Sequence, residues 1–265
     1  MVLKTLTGEF ARLETVNSIV LSGSRASLIH DGYSDYDIYV YSKEPIPIKY
    51  RENLIKKFTN KYSVGNTFFE DSDEFFTENP PQMYFDIMYR RLDWVYHEIE
   101  AVWRKHQAKL GYTTCFLDNI KNSKILFDRS EEFQRILDEL HEPYPDALAI
   151  NIIRKNYPML RRRCAMPYYE QVELAVKRQD LVSQNHRTAA LLASYFDIIF
   201  AINKKTHPGE KKLVQYATKL CPKLPKDFQA DIQNVVQSVG TDGILNTLTK
   251  LLDELDILLK NEGLV

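Results

Sequence analysis

Two aspartates, Asp35 and Asp37, follow a Gly23–Ser24 pair after ten intervening residues, in the stretch GSRASLIHDGYSDYD. If DIYVYS is a strand, residues two apart point to one face, so the two carboxylates project together. Like charges so placed repel one another. A divalent metal is the compensation that suits them. A third acid, Asp86, is alone in the apolar run MYFDIMYR. Alternation sets Met83, Phe85, Ile87 and Tyr89 on one side and Tyr84, Asp86, Met88 and Arg90 on the other. Burying that carboxylate without a partner is costly. Either Arg90 or Arg91 pairs with it, or it joins Asp35 and Asp37 on a metal. Three carboxylates on adjacent strands form a hard-oxygen site suited to Mg2+, which keeps waters and shares its shell with phosphate oxygens.

The Gly-Ser pair would serve the phosphates. Gly23 permits close backbone approach to a ligand, and the amides opening a helix after it can hold a phosphate. Ser24 adds a hydroxyl donor, and Arg25 lies close enough in sequence to help. Other signals are weaker. Arg154, Lys155, Arg161, Arg162, Arg163, Lys177 and Arg178 crowd residues 154–178, and each is first of all part of a solvated helix face. In THPGEKK, Pro208 and Gly209 break the chain before a helix, where Lys211 or Lys212 is placed to contact phosphates. Glu70, Asp71, Asp73, Glu74 and Glu78 form an acidic loop that attracts a polycationic ligand or is simply solvated. Asp180 is expected at a helix end or N-cap. Asp197, inside SYFDIIF, is expected in a buried salt bridge, with contact to a substrate amine or hydroxyl as the alternative.

The elements that must position these groups are legible in part. VNSIVLS reads as a buried strand, RASLI as a short helix, HDGYS as a turn and DIYVYS as a second strand. A helix in KYRENLIKKFTNKY, a strand in SVGNTFFE and an acidic loop EDSDEFFTENPP follow. After the MYFDIMYR strand come a long helix LDWVYHEIEAVWRKHQ, a brief strand ILFD and a helix SEEFQRILDEL capped by Ser130. Beyond EPYP the pattern turns helical: 146–165, 167–179, 181–205, 209–220, 225–238 and 241–261, the third apolar on almost every side. The expected plan is an α/β (α+β) domain with a small mixed sheet, residues 1–140, followed by an all-α helical bundle, residues 141–265.

Composition narrows the class. Hydrophobic content of 44% and charged content of 27% are those of a soluble globular chain. A net charge of −1 argues against a general nucleic-acid-coating protein. Residues 1–140 hold 18 basic against 22 acidic side chains, and residues 141–265 hold 17 against 14. Cys115, Cys164 and Cys221 are widely spaced with no CxxC pair, which argues against a disulfide framework or thiolate zinc site and fits a reducing cytosol. No signal-peptide core or membrane-spanning run is visible, so a cytoplasmic location is expected. HEIEA has Ala101 where a zinc protease needs its second histidine, SGSRAS lacks the second glycine of GxSxG, and no P-loop occurs.

The pattern G-S, ten residues, D-x-D, with a later lone acid on a strand, resembles the nucleotidyltransferases of the DNA polymerase β superfamily. The two-domain layout looks like the bacterial kanamycin, streptomycin and lincosamide nucleotidyltransferases. The resemblance implies that Gly23 and Ser24 bind triphosphate, that Asp35 and Asp37 hold Mg2+, and that Asp86 is a metal ligand or the general base. It further implies a bundle lysine on the phosphates, Lys211 or Lys212, and two Mg2+ ions once nucleotide is bound. The reaction so implied moves a nucleoside monophosphate, AMP from ATP or another nucleoside triphosphate, to a hydroxyl of a small molecule, an antibiotic being one candidate, and releases pyrophosphate. Two alternatives stay open: transfer to protein or RNA, as in toxin-neutralising minimal members, and a non-catalytic nucleotide-binding regulatory module. The chain departs from several antibiotic-modifying members, which carry a glutamate as base where Asp86 stands. Partners are then the nucleotide and a small acceptor, with no membrane or nucleic acid, and a monomer or homodimer.

Overall fold

A computed structural model describes residues 2–26, 35–78, 82–162 and 166–265, without the Ser24 side chain. The expected turn HDGYS, the end of the RASLI helix, Arg163 and Cys164 lie outside the described residues. The chain divides into two compact units, residues 1–100 with 119–143, and residues 101–118 with 144–265. Segment 101–118 thus clusters with the second unit, although it precedes residue 140.

The first unit is built on one six-stranded sheet, ordered β3-β4-β5-β2-β1-β6. Its strands are β1 (Val16–Ser22), β2 (Tyr36–Ser42), β3 (Tyr62–Asn66), β4 (Ser72–Phe76), β5 (Tyr84–Arg90) and β6 (Lys124–Asp128). β2 and β5 run parallel and every other neighbouring pair antiparallel, so the sheet is mixed. A parallel pair needs a long crossover, here α3 (Ile48–Ile55) and the β3–β4 hairpin. Ile38 and Val40 of β2 and Phe85 and Ile87 of β5 enter a core with Leu6 and Phe10 of α1 (Val2–Ala11) and Leu54 and Ile55 of α3. The period of two that buries these residues turns Asp37 and Asp86 to the other face.

Several local expectations are corrected. The acidic stretch expected as a loop contains β4, because its alternate side chains point inward: Asp73 and Phe75 are buried. Asp73 is accommodated by the Gly65 amide at 2.8 Å, the Tyr89 hydroxyl at 2.7 Å and Arg51 at 3.6 Å. The long helix expected from Leu92 is α4 (Leu92–Glu98) followed by a π-helical turn, Ile99–Arg104. α1, which buries Leu6 and Phe10 one turn apart, and α5 (Cys115–Lys121) were not expected. At α6 (Glu132–His141) Ser130 is not the cap; Asp128 Oδ2 accepts from the Gln134 amide at 2.9 Å instead.

The second unit is helical: α7 (Asp146–Leu160), α8 (Tyr168–Lys177), α9 (Leu181–Ile202), α10 (Leu213–Leu220), α11 (Phe228–Ser238) and α12 (Ile244–Asn261). α9 packs against α7 and α8, and is buried continuously from Ser194 to Ile202. Asp180 caps it by accepting from the Ser183 amide at 2.9 Å. α12 buries Ile244, Leu248, Leu251, Leu252, Leu255 and Leu259, the stripe expected of a helix with one core face. Asp197 has no salt bridge among the described residues. It accepts from the Thr113 amide at 3.1 Å, the Thr113 hydroxyl at 2.6 Å and Asn156 Nδ2 at 3.3 Å. Neutral donors, Thr113 from a distant loop and Asn156 from α7, do what a cation was expected to do. No helix among the described residues is long and apolar enough to cross a membrane.

Candidate active site

Strand register sets the acids in a row. Ser22 of β1 is opposite Asp37 of β2, Asp37 is opposite Asp86 of β5, and Asp86 is opposite Glu74 of β4. Directly opposed residues on one face stand about 4.5–5.5 Å apart at Cβ. Three carboxylates therefore occupy consecutive strands, with Asp35 exposed just before β2. Ser22, at the end of the row, is buried and bonded to Ser123 at 2.5 Å.

Gly23 follows Ser22 directly and opens α2 (Gly23–Ala26) with a φ of +63°. A Cβ built there would lie 1.7 Å from Asp37 Oδ2. No side chain fits between this backbone and the aspartate, and the left-handed conformation also favours glycine. The Gly23 amide donates to Asn119 Oδ1 at 3.4 Å. Arg25 lays its guanidinium 4.0 Å from the centre of the Tyr36 ring. Lys211 and Lys212 belong to the second unit, where Lys212 adopts a left-handed φ of 54° ahead of α10.

Asp86 is half-buried, and its carboxyl is pushed up to about 6, first by burial and then by the charges of Asp37, Glu74, Glu70 and Asp35. Arg90 and Arg91, the alternative partners expected for it, are engaged elsewhere. Arg90 bonds Glu70 through Nε at 2.5 Å and Nη2 at 2.7 Å, and Arg91 bonds Asp93 at 2.8 Å. What surrounds Asp86 electrostatically is other carboxylates.

Glu74 was not singled out by its sequence context, because it lay in what read as a solvated acidic loop. It is exposed, accepts from the Tyr84 hydroxyl at 2.5 Å, and contributes to the rise of Asp86. The signal that would have found it is the alternation of SDEFF, with Asp73 and Phe75 in and Ser72, Glu74 and Phe76 out.

Among the described residues no three His, Cys, Asp or Glu side chains form a ready-made metal cage. Mg2+ does not require one, since it is held by one or two carboxylates together with substrate phosphates and water. The donor chemistry of Asp35, Asp37 and Asp86 suits that mode. The approach of the Gly23 backbone to Asp37 leaves room for nothing bulkier than hydrogen there.

A family model described as a domain of unknown function, DUF4037, matches residues 112–213. No curated protein sequence matches the chain. Among solved structures, a nucleotidyltransferase-like protein from Exiguobacterium sibiricum 255-15 is similar at 10% identity and a TM-score of 0.46, over 98% of this chain and 74% of that one. A CCA-adding enzyme in complex with CTP is similar at 12% identity and a TM-score of 0.31, over 89% of this chain and 68% of that one. Both likenesses are distant, and the functional reading rests on the carboxylate row itself.

Proposed function

We propose that the chain is a Mg2+-dependent nucleotidyltransferase that moves a nucleoside monophosphate, AMP from ATP, onto a hydroxyl of a small molecule and releases pyrophosphate. The observation that carries this reading is the row Asp37–Asp86–Glu74 beside a glycine backbone that admits no side chain. Holding these charges together is unfavourable, and magnesium triphosphate is the ligand that reverses the sign. A regulatory module without turnover would have no need to keep them.

Asp35, Asp37 and Asp86 would hold the metal, which when bound neutralises charge on the attacking and leaving oxygens. Gly23, Ser24 and Arg25 would orient the triphosphate so that the acceptor oxygen lies in line with the α-phosphorus. The new bond joins that oxygen to phosphorus as the bond to the pyrophosphate oxygen breaks. The acceptor proton passes to a carboxylate, with Asp86 in that role and Glu74 the neighbour able to take it in its place. The first unit is assigned catalysis and the helical unit recognition of the acceptor, with Lys211 and Lys212 as candidate phosphate ligands from that unit.

Pyrophosphate release from ATP and Mg2+ tests the reading, measured against panels of hydroxylated small molecules, RNA and protein. Release that depends on a small-molecule acceptor supports it. Release only with RNA or protein moves the reaction to another acceptor class. Nucleotide binding without release under any condition returns the chain to the regulatory module.

A further inference from the structure

The helical unit gathers basic side chains from two distant stretches. An open crevice of about 610 Å³ is lined by Lys105, His106 and Gln107 on one side and by Asn151, Arg154 and Lys155 of α7 on the other. None of its lining residues is acidic. The wall is held in place: Asn151 Nδ2 donates to the His106 carbonyl at 3.0 Å, and His106 keeps a left-handed φ of 56°. The Gln107 amide donates to the Ala101 carbonyl at 3.0 Å, just past the π-helical turn that leads into Lys105. Such turns are rare and recur at functional sites.

Some other cations of this unit have acids beside them. Arg161 pairs with Asp253 and Asp256, Lys177 with Glu173, Lys204 with Asp146, Lys223 with Glu262 and Lys250 with Asp231. Arg154 and Lys155 are exposed, and among the described residues neither has such a partner. Arg154 and Lys155, adjacent and without an acid beside either among the described residues, create a positive potential that an anion would relieve. Arg offers a planar fork to two phosphate oxygens and Lys a point charge.

We propose that this crevice binds a ligand carrying two or more phosphate groups, held by Arg154 and Lys155. It belongs to the helical unit, whereas the carboxylate row belongs to the first, and it needs no divalent metal, so its binding is testable without the proposed transfer reaction. The phosphates come either from a free polyphosphate or from the backbone of a single-stranded oligonucleotide.

Binding of tripolyphosphate and of a short single-stranded RNA to the full chain, in EDTA and low salt, tests this. The variants are Arg154→Gln/Lys155→Gln and, as a charge-matched control, Lys177→Gln/Arg178→Gln. The expected result is binding of at least one probe, weakened about tenfold or more in the first variant, unchanged in the control, and reduced as salt rises. Tripolyphosphate binding assigns the site to free polyphosphate, and binding of RNA alone assigns it to a nucleic-acid backbone. Failure of both probes to bind, or equal weakening in both variants, overturns the proposal. The four substituted positions are solvent-exposed, and matching circular dichroism spectra will show that all variants fold.

Discussion

Asp86 in the sheet and Asp197 in the helical unit are both pushed up to about 6, yet their surroundings are opposite. Asp197 is buried, and burial alone raises it, against the pull of two bonds from Thr113 and one from Asn156. Asp86 is half-buried, and after burial its causes are four neighbouring carboxylates. A carboxylate ringed by donors is already satisfied and holds a loop to a helix. One ringed by carboxylates is satisfied only when a cation arrives. The same direction of shift thus marks a structural residue in one place and a candidate ligand in the other.

Substitution separates the two most sharply at the row. Asp37→Asn and Asp86→Asn are each expected to lower nucleotidyl transfer about a thousandfold, in the range seen when a charge-stabilising group is removed. Because each removes one member of a repelling set, the melting temperature should hold or rise. A loss of stability alongside the loss of activity would erase the contrast with Asp197. Asp197→Ala is expected to do the reverse. It strands the Thr113 and Asn156 donors in a buried site, at a cost of about 2–4 kcal/mol in urea denaturation, by the penalty for unsatisfied buried groups.

Gly23→Ala tests the junction between backbone and row. Its Cβ would collide with Asp37 Oδ2, so the aspartate must turn away. Transfer activity is expected to fall about ten- to a hundredfold, the range for a misplaced reacting geometry, and a steady-state assay at saturating Mg2+ checks it.

The smallest effect in the wild type is a pH dependence of stability in the helical unit. Asp197 is raised from 3.8 to about 6, so the native state holds its proton longer than the unfolded chain. Its contribution is present below pH 4 and is lost as pH rises to 6. His207, fully buried, is lowered from 6.5 to about 4 by burial alone, so its contribution runs the other way and grows as pH rises from 4 to 6.5. The two largely cancel in the wild type. Asp197→Asn should expose the histidine's rise, on the order of 3 kcal/mol across that window, in denaturation midpoints measured between pH 4 and 7. A flat profile in the variant would break this account.

The main strands were legible because their signal is local. VNSIVLS, DIYVYS and MYFDIMYR carry β-branched and aromatic residues with a clear period, and the alternation in MYFDIMYR groups Phe85, Ile87 and Tyr89 on one side, the side that enters the core. The later helices were legible from their apolar stripes, with ends displaced by a few residues. What escaped depends on distant partners. β4 was hidden because Asp73 is an inward-facing acid, a position that composition alone reads as solvent; only Gly65, Tyr89 and Arg51 make it tolerable. Glu74 was hidden with it. Asp197 could not be paired from sequence, since its donor Thr113 is 84 residues away. The pairing of Asp37 with Asp86 is likewise a matter of parallel register, which no local pattern encodes.

The most direct test is calorimetric binding of a non-hydrolysable ATP analogue to the wild type, Asp37→Asn and Asp86→Asn, each with Mg2+ and with EDTA. The expected result is binding that needs both the metal and the two aspartates, with at least about a tenfold loss when any one is removed. Equal affinity in the variants, or in EDTA, would contradict the assignment of the row to magnesium triphosphate.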